Sequence, residues 1–282
     1  MRNRVRSIIL VFLFLPALTG CVTMRNGPIG GLVNTIADTL PIYIPISEDE
    51  ETVIGRNMAA EVAGRYTVLS HDDLTRYVNL VGNAVAHKSD RPNLPYHFAV
   101  LDSEIINAFS CPGGYIFISK GALRIIGSEA ELAAVLSHEI AHVAKRHIVH
   151  EIEKAKFFKA GDHVAGGLLR PDTILFKRVT DFGNGLVFKG LSRSDEYEAD
   201  RLALKYLSRT GYDPSALLWF IEKLASASSN PSFTNVELLF STHPKTDDRI
   251  ERITKILDAH GETFKTGAVL SERYQEATYF LR

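Results

Sequence analysis

Residues 128 to 153 set two demands that few folds meet together: a helix apolar enough to be buried, and ionisable side chains on it. Ser128 and Glu131 form an N-terminal capping box, and a helix is expected from there through about Glu153. Ala133, Ala134, Val135, Ile140, Ala141 and Val143 make it a core helix. The same stretch carries His138-Glu139-Ile140-Ala141-His142. Positions i and i+4 share one face, a turn apart. Two imidazoles so placed can bind one Zn²⁺, with Glu139 reaching a water on it. Left unpaired in a core, these polar groups would be costly.

A catalytic zinc needs a third protein ligand and an open position. A metzincin would place Gly at 145 and His at 148; Lys145 and Ile148 exclude that solution. The remaining source is a glutamate on a later helix. Ser192-Arg193-Ser194-Asp195-Glu196-Tyr197-Glu198-Ala199-Asp200 supplies one. Glu196 and Asp200 are i and i+4, so Glu196 is the expected ligand. Asp200 is expected to accept a hydrogen bond from a ligand imidazole and fix its tautomer. Glu198 points elsewhere, towards solvent. His147 and His150 fall off the ligand face and read as structural.

Composition narrows the class further. With 45% hydrophobic residues and 23% charged residues, the chain is too apolar for disorder. Lys and Arg number 32 against 33 Asp and Glu, so bulk charge gives no nucleic-acid binder. Two cysteines exclude a disulfide framework. At the N-terminus, Arg2, Arg4 and Arg6 precede the apolar run Ile8 to Leu15, too short to span a bilayer, which takes about 20 residues. This reads as a signal peptide over residues 1–20. Leu18-Thr19-Gly20-Cys21 resembles a bacterial lipobox, so Cys21 is expected to be lipidated and to begin the mature chain. By the same resemblance, Val22 rather than Asp after the cysteine favours the outer membrane, on its periplasmic face. Cys111 is then a lone thiol, expected to pack in the core.

Residues 21–46 read as a lipidated tether, and 47–282 as one domain. Ser47 and Glu50 cap a helix to about Tyr66, and Ser70 caps a second with Val78, Val81 and Val85 on its apolar face. Tyr96 to Leu101 reads as a strand, and Phe109 to Ser119 as another, interrupted at Pro112-Gly113-Gly114. Residues 157–191 take no assignment. Helices are expected over 194–209 (ended by Gly211), near 214–227 and near 246–259. No later segment is long and apolar enough for a transmembrane helix. The fold class is α+β, mainly helical, with a small sheet beside the HExxH helix.

Four motifs in order carry a resemblance to a known family. These are Asn107-Ala108-Phe109 with Pro112-Gly113-Gly114-Tyr115, His138 to His142 with His147 trailing, Ser192-Arg193 through Asp200, and Thr242-His243-Pro244 with Arg249. The chain resembles the zinc metallopeptidases related to HtpX and the CAAX prenyl proteases, and within them the periplasmic lipoprotein, BepA-like branch. The four-helix membrane core of the integral members and the tetratricopeptide repeats of BepA are not seen. The resemblance implies a zincin-like domain holding one Zn²⁺ through His138, His142 and Glu196, with Glu139 as general base. It implies that Asn107, Ala108 and Phe109 form a strand edge to which an extended substrate adds. It also implies that His243 can take the fourth zinc position as a latch; a surface or transition-state role for His243 is the other reading. Arg249 either stabilises developing negative charge and holds the substrate, or forms a structural salt bridge.

The implied activity is hydrolysis of misfolded or unassembled envelope proteins. The competing reading is a chaperone-like factor working with the outer-membrane assembly machinery, with little proteolysis.

Overall fold

A computed structural model describes residues 45–155, 174–228, 243, 246–259, 264 and 266–281. Cys21, Thr242, Pro244 and residues 157–173 lie outside these, so the lipidation site and part of the unassigned stretch do too.

The described elements run α1 (Glu48–Tyr66), α2 (Asp72–Ala86), β1 (His97–Leu101), β2 (Ala108–Cys111), a 3₁₀ turn (Pro112–Gly114) and β3 (Tyr115–Ser119). Helices follow as α3 (Lys120–Ile125), α4 (Glu129–Ala144), α5 (His147–Lys154), α6 (Ile174–Lys189) and α7 (Arg193–Thr210). The last are α8 (Ser215–Ser228), α9 (Thr246–Ala259) and α10 (Ser271–Thr278), with a closing 3₁₀ turn at Tyr279–Leu281. The class is mainly helical with one small sheet, as expected. No helix among the described residues is long and apolar enough to cross a membrane.

The sheet has the order β1-β3-β2, with β1 parallel and β2 antiparallel to β3. The expected single interrupted strand over Phe109 to Ser119 is therefore a hairpin. Gly113 (φ 73°) and Gly114 (φ 95°) take up the positive φ angles that turn it. With Phe109 opposite Phe117, β2 pairs with β3 alone, so its outer edge is unpaired among the described strands.

Alternation along β3 divides the core. Ile116 and Ile118 face one apolar cluster and Phe117 faces the other. Behind the first lie α2, α4, α7 and α8. Leu74, Val78, Val81 and Val85 form the inner stripe of α2 there, spaced at helical period. Behind the second lie α1, α5 and α6, with Met58, Ile152 and Val179, and the buried Cys111 packs here. Every residue of α4 is buried, because the helix is enclosed on all sides.

Local rules set the helix ends, with three departures. Ser47 and Glu50 form the expected capping box: Glu50 N–H donates to Ser47 Oγ at 3.3 Å, and Ser47 N–H donates to Glu50 Oε2 at 2.9 Å. At α2 the cap is His71 rather than Ser70, its Nδ1 accepting Leu74 N–H at 3.2 Å. At α4 only half of the expected box exists. Ser128 Oγ accepts Glu131 N–H, but the Glu131 carboxylate accepts Gly127 N–H at 3.0 Å and pairs with Lys223 at 2.7 Å. Finally, the helix does not reach Glu153. It ends at Ala144, Arg146 adopts the left-handed conformation (φ 55°, ψ 34°), and α5 starts afresh at His147.

That break is held from α1. Buried Glu51 meets Arg146 Nε and Arg91 Nη1, each at 2.8 Å, and accepts Gly113 N–H at 3.3 Å. Just before α1, Ile46 is fixed at both backbone groups: its N–H donates to Glu153 Oε1 at 2.9 Å, and its carbonyl accepts Arg146 Nη2 at 2.5 Å.

Candidate metal centre

α4 and α7 pack face to face, and α7 opens with a full capping box between Ser192 and Asp195. This sets the helical phase that turns Glu196 and Asp200 inward onto α4, and both are buried. His138 Nε2 and His142 Nε2 lie 3.0 Å apart. Glu196 faces both, Oε2 at 3.5 Å from His138 and Oε1 at 3.4 Å from His142. His243 joins them from before α9, its Nδ1 2.9 Å from Glu196 Oε2 and its Nε2 3.7 Å from Glu139 Oε1. One donor atom each from His138, His142, Glu196 and His243 fits within 4.8 Å.

This donor set suits a cation. Glu196 Oε1 is buried and makes no hydrogen bond among the described residues. The outer nitrogen of each imidazole on α4 is engaged elsewhere: His138 Nδ1 lies 3.0 Å from Asp200 Oδ1, and His142 Nδ1 lies 2.8 Å from His147 Nδ1. With protons on those outer nitrogens, two Nε2 lone pairs and a carboxylate converge, an arrangement that a divalent ion satisfies and water-free apolar packing does not.

Arg249 is buried and donates to Asp200 twice, Nε to Oδ2 at 2.8 Å and Nη2 to Oδ1 at 2.7 Å. Its Nη1 lies 3.7 Å from Glu196 Oε2. The structural salt bridge is thus present, at the border of the site. Burial opposes ionisation of Asp200, yet the Arg249 guanidinium outweighs it and holds the pKa down at about 2. Burial likewise disfavours charge on His138, but Asp200 and Glu196 overcome it and push its pKa up to about 9. Glu196 is held well below the carboxylate range despite burial, first by His243 and then by the two α4 imidazoles.

Glu139 is buried and borders two recesses. One is apolar, walled by Ile106, Val135, Leu217, Phe220 and Ile221. The other runs along Ala108, Phe109 and Ser110 of β2 to His142 and Glu196. Ala108 and Phe109 lie in β2, while Asn107 just precedes it and is tied to β3 by Ser119 N–H at 3.0 Å.

Two residues expected to lie outside the site reach it. His147 is buried against His142, and its Nε2 lies 3.3 Å from Glu198 Oε2. Burial, and then the neighbouring His142, push its pKa down to about 4. Glu198 is part-exposed and also meets Lys145 at 3.9 Å and Arg201 at 3.5 Å. The sequence does carry a signal for this: Lys145-Arg146 is a cationic pair closing an apolar helix, a stop that lets the next residue change face. His150, by contrast, is exposed.

A mainly helical domain with two imidazoles one turn apart, a glutamate from a second helix and a further glutamate beside them defines a metallopeptidase-type domain. Residues 72–257 match the model of peptidase family M48, and the chain belongs to that family. It is 30% identical over 214 residues to the beta-barrel assembly-enhancing protease of Yersinia pestis, covering 73% of this chain and 43% of that protein. The mitochondrial metalloendopeptidase OMA1 of Schizosaccharomyces pombe is 30% identical over 228 residues, 76% of this chain and 66% of that one. The metalloprotease LoiP of Escherichia coli K12 is 22% identical over 262 residues, 92% of this chain and 99% of LoiP. The chain spans about half the length of the beta-barrel assembly-enhancing proteases it matches.

Proposed function

We propose that the chain is a zinc-dependent endopeptidase that hydrolyses peptide bonds of misfolded or unassembled envelope proteins, kept latent by His243. The observation that carries this is the convergence of His138 Nε2, His142 Nε2 and Glu196 Oε1 beside Glu139, next to the edge of β2 that is unpaired among the described strands. His138, His142 and Glu196 are the ligands. A zinc ion held there supplies Lewis acidity to a water and to the scissile carbonyl. Glu139 takes the water's proton and passes it to the leaving amine. An extended substrate adds to β2 along Asn107, Ala108 and Phe109, so backbone pairing selects unfolded segments over any one sequence. Asp200 fixes the His138 ring. Arg249 holds Asp200 and leaves Nη1 facing the site, where negative charge develops.

His243 lies within reach of both Glu196 and Glu139. In that place it takes the fourth position and keeps Glu139 from a substrate. The same observation favours the second reading, an assembly factor that binds clients and rarely cuts, in line with relatives named for beta-barrel assembly. In this proposal, residues 1–20 are the signal peptide, Cys21 carries the lipid that holds the chain at the periplasmic face of the outer membrane, 21–46 are the tether and 47–282 the peptidase domain.

Glu139→Gln is expected to keep zinc and fold while lowering cleavage of an unfolded protein by about 10²–10⁴-fold; cleavage at the wild-type rate would overturn the mechanism. Elemental analysis should find near one zinc per chain, lost in His138→Ala. His243→Ala should raise proteolysis, and no change or a fall would favour a catalytic or structural role. Cys21→Ala should release the protein from membranes.

A further inference from the structure

We propose that His147 and Glu198 are positioning residues for His142, fixing its ring and the nitrogen it turns towards the metal. The inference rests on the metal-centre reading above. His142 Nδ1 and His147 Nδ1 are 2.8 Å apart, so one carries the proton and the other accepts it. His147 Nε2 settles which. It faces Glu198 Oε2 at 3.3 Å and Asp195 Oδ1 at 3.9 Å, both acceptors, so the His147 proton sits on Nε2. His147 Nδ1 is then the acceptor, and His142 donates from Nδ1. What His142 has left to offer a metal is Nε2, which faces Glu196 and His138. Reversing either proton would leave His142 with an N–H pointing into the ligand cluster.

The backbone is bent to allow this. On a continuous helix, residue 147 would lie about 140° round from residue 142 and could not touch it. α4 instead stops, and Arg146 takes a left-handed conformation that residues with a side chain rarely adopt. Its guanidinium is held by Glu51 and the Ile46 carbonyl, which keeps the turn in place. Strain supported from outside in this way is characteristic of functional sites. The turn brings His147 back over His142, with the rings 5.0 Å apart and steeply inclined.

The test uses the full chain. In metal-free protein, nitrogen NMR of the imidazoles should show His147 protonated at Nε2 and accepting at Nδ1; a proton on His147 Nδ1 instead would overturn the proposal whether or not metal binds. Zinc affinity is then measured by chelator competition. His147→Phe, which keeps a ring but no acceptor, should weaken binding about 10–100-fold and shift the visible bands of the cobalt-loaded protein. Glu198→Gln should weaken it less, and His147→Gln, which restores an acceptor, should recover most of the loss. Equal losses in His147→Phe and His147→Gln, or none in either, would assign His147 to packing alone. Failure of the wild-type chain to bind zinc or cobalt would instead overturn the metal-centre reading, while the tautomers still decide the positioning.

Discussion

The two imidazoles of α4 are held in opposite styles. His138 leans on Asp200 and Arg249, a fully buried ionic pair joined by two hydrogen bonds. His142 leans on His147 and Glu198, a chain that starts neutral and ends on a part-exposed carboxylate shared with Lys145 and Arg201. The first arm joins three helices, α4, α7 and α9, through buried side chains, and the second depends on a break between α4 and α5. Rigidity on one side thus comes from buried charge, and on the other from backbone geometry maintained at a distance by Glu51.

The largest expected effect lies in the buried arm. Asp200→Ala removes both hydrogen bonds from buried Arg249, leaves it only the longer approach to Glu196, and should cost about 3–5 kcal/mol in denaturant unfolding of the metal-free protein. A cost near that of an exposed pair would erase the contrast between the arms. Replacing both partners, Asp200→Leu with Arg249→Met, should recover most of that stability, because the buried Arg249 charge leaves together with its hydrogen-bonded partner. Zinc binding should stay weak in the double variant, since His138 has lost its acceptor; additive destabilisation would break this account.

Effects on the other arm should be smaller and should act through the backbone. Arg146→Gly and Arg146→Ala both lose the pair with Glu51, but Ala must still hold the left-handed angle. It should be less stable than Gly by about 1–2 kcal/mol, read as a difference in unfolding free energy. Equal stability would mean that the turn relaxes in the variants. Smallest of all, Glu198→Gln should change stability by under about 1 kcal/mol, as expected for a part-exposed ion pair, while still lowering zinc affinity. A large stability loss there would make the outer arm structural rather than orienting.

The same contrast explains what the sequence made legible. Glu196 and Asp200 follow from helical spacing, and Ser47 with Glu50 from a local cap, because each depends on neighbours within a turn. The hairpin turn at Pro112-Gly113-Gly114 was visible as an interruption, but its reversal depends on how β2 registers against β3. His147 reads as structural from helical spacing, and its contact with His142 escapes that spacing for a different reason. Its place is decided by one backbone angle at Arg146, and that angle is stabilised by Glu51, on a helix some ninety residues earlier. Spacing arguments assume that a helix continues; they fail where a distant carboxylate ends it. His71 at the cap of α2 and the diverted Glu131 carboxylate fail on other terms, a short-range rule losing to a nearby competitor.

The double grip on Ile46 has a mechanical side. Tension arriving at Ile46 is met by its backbone bonds to Glu153 and Arg146 together with its own buried side chain. Arg146 is also the hinge of the turn that seats His147 on His142. A pull at Ile46 is therefore delivered to Arg146, so that the entry to α1 and the seating of one imidazole share a single line of force.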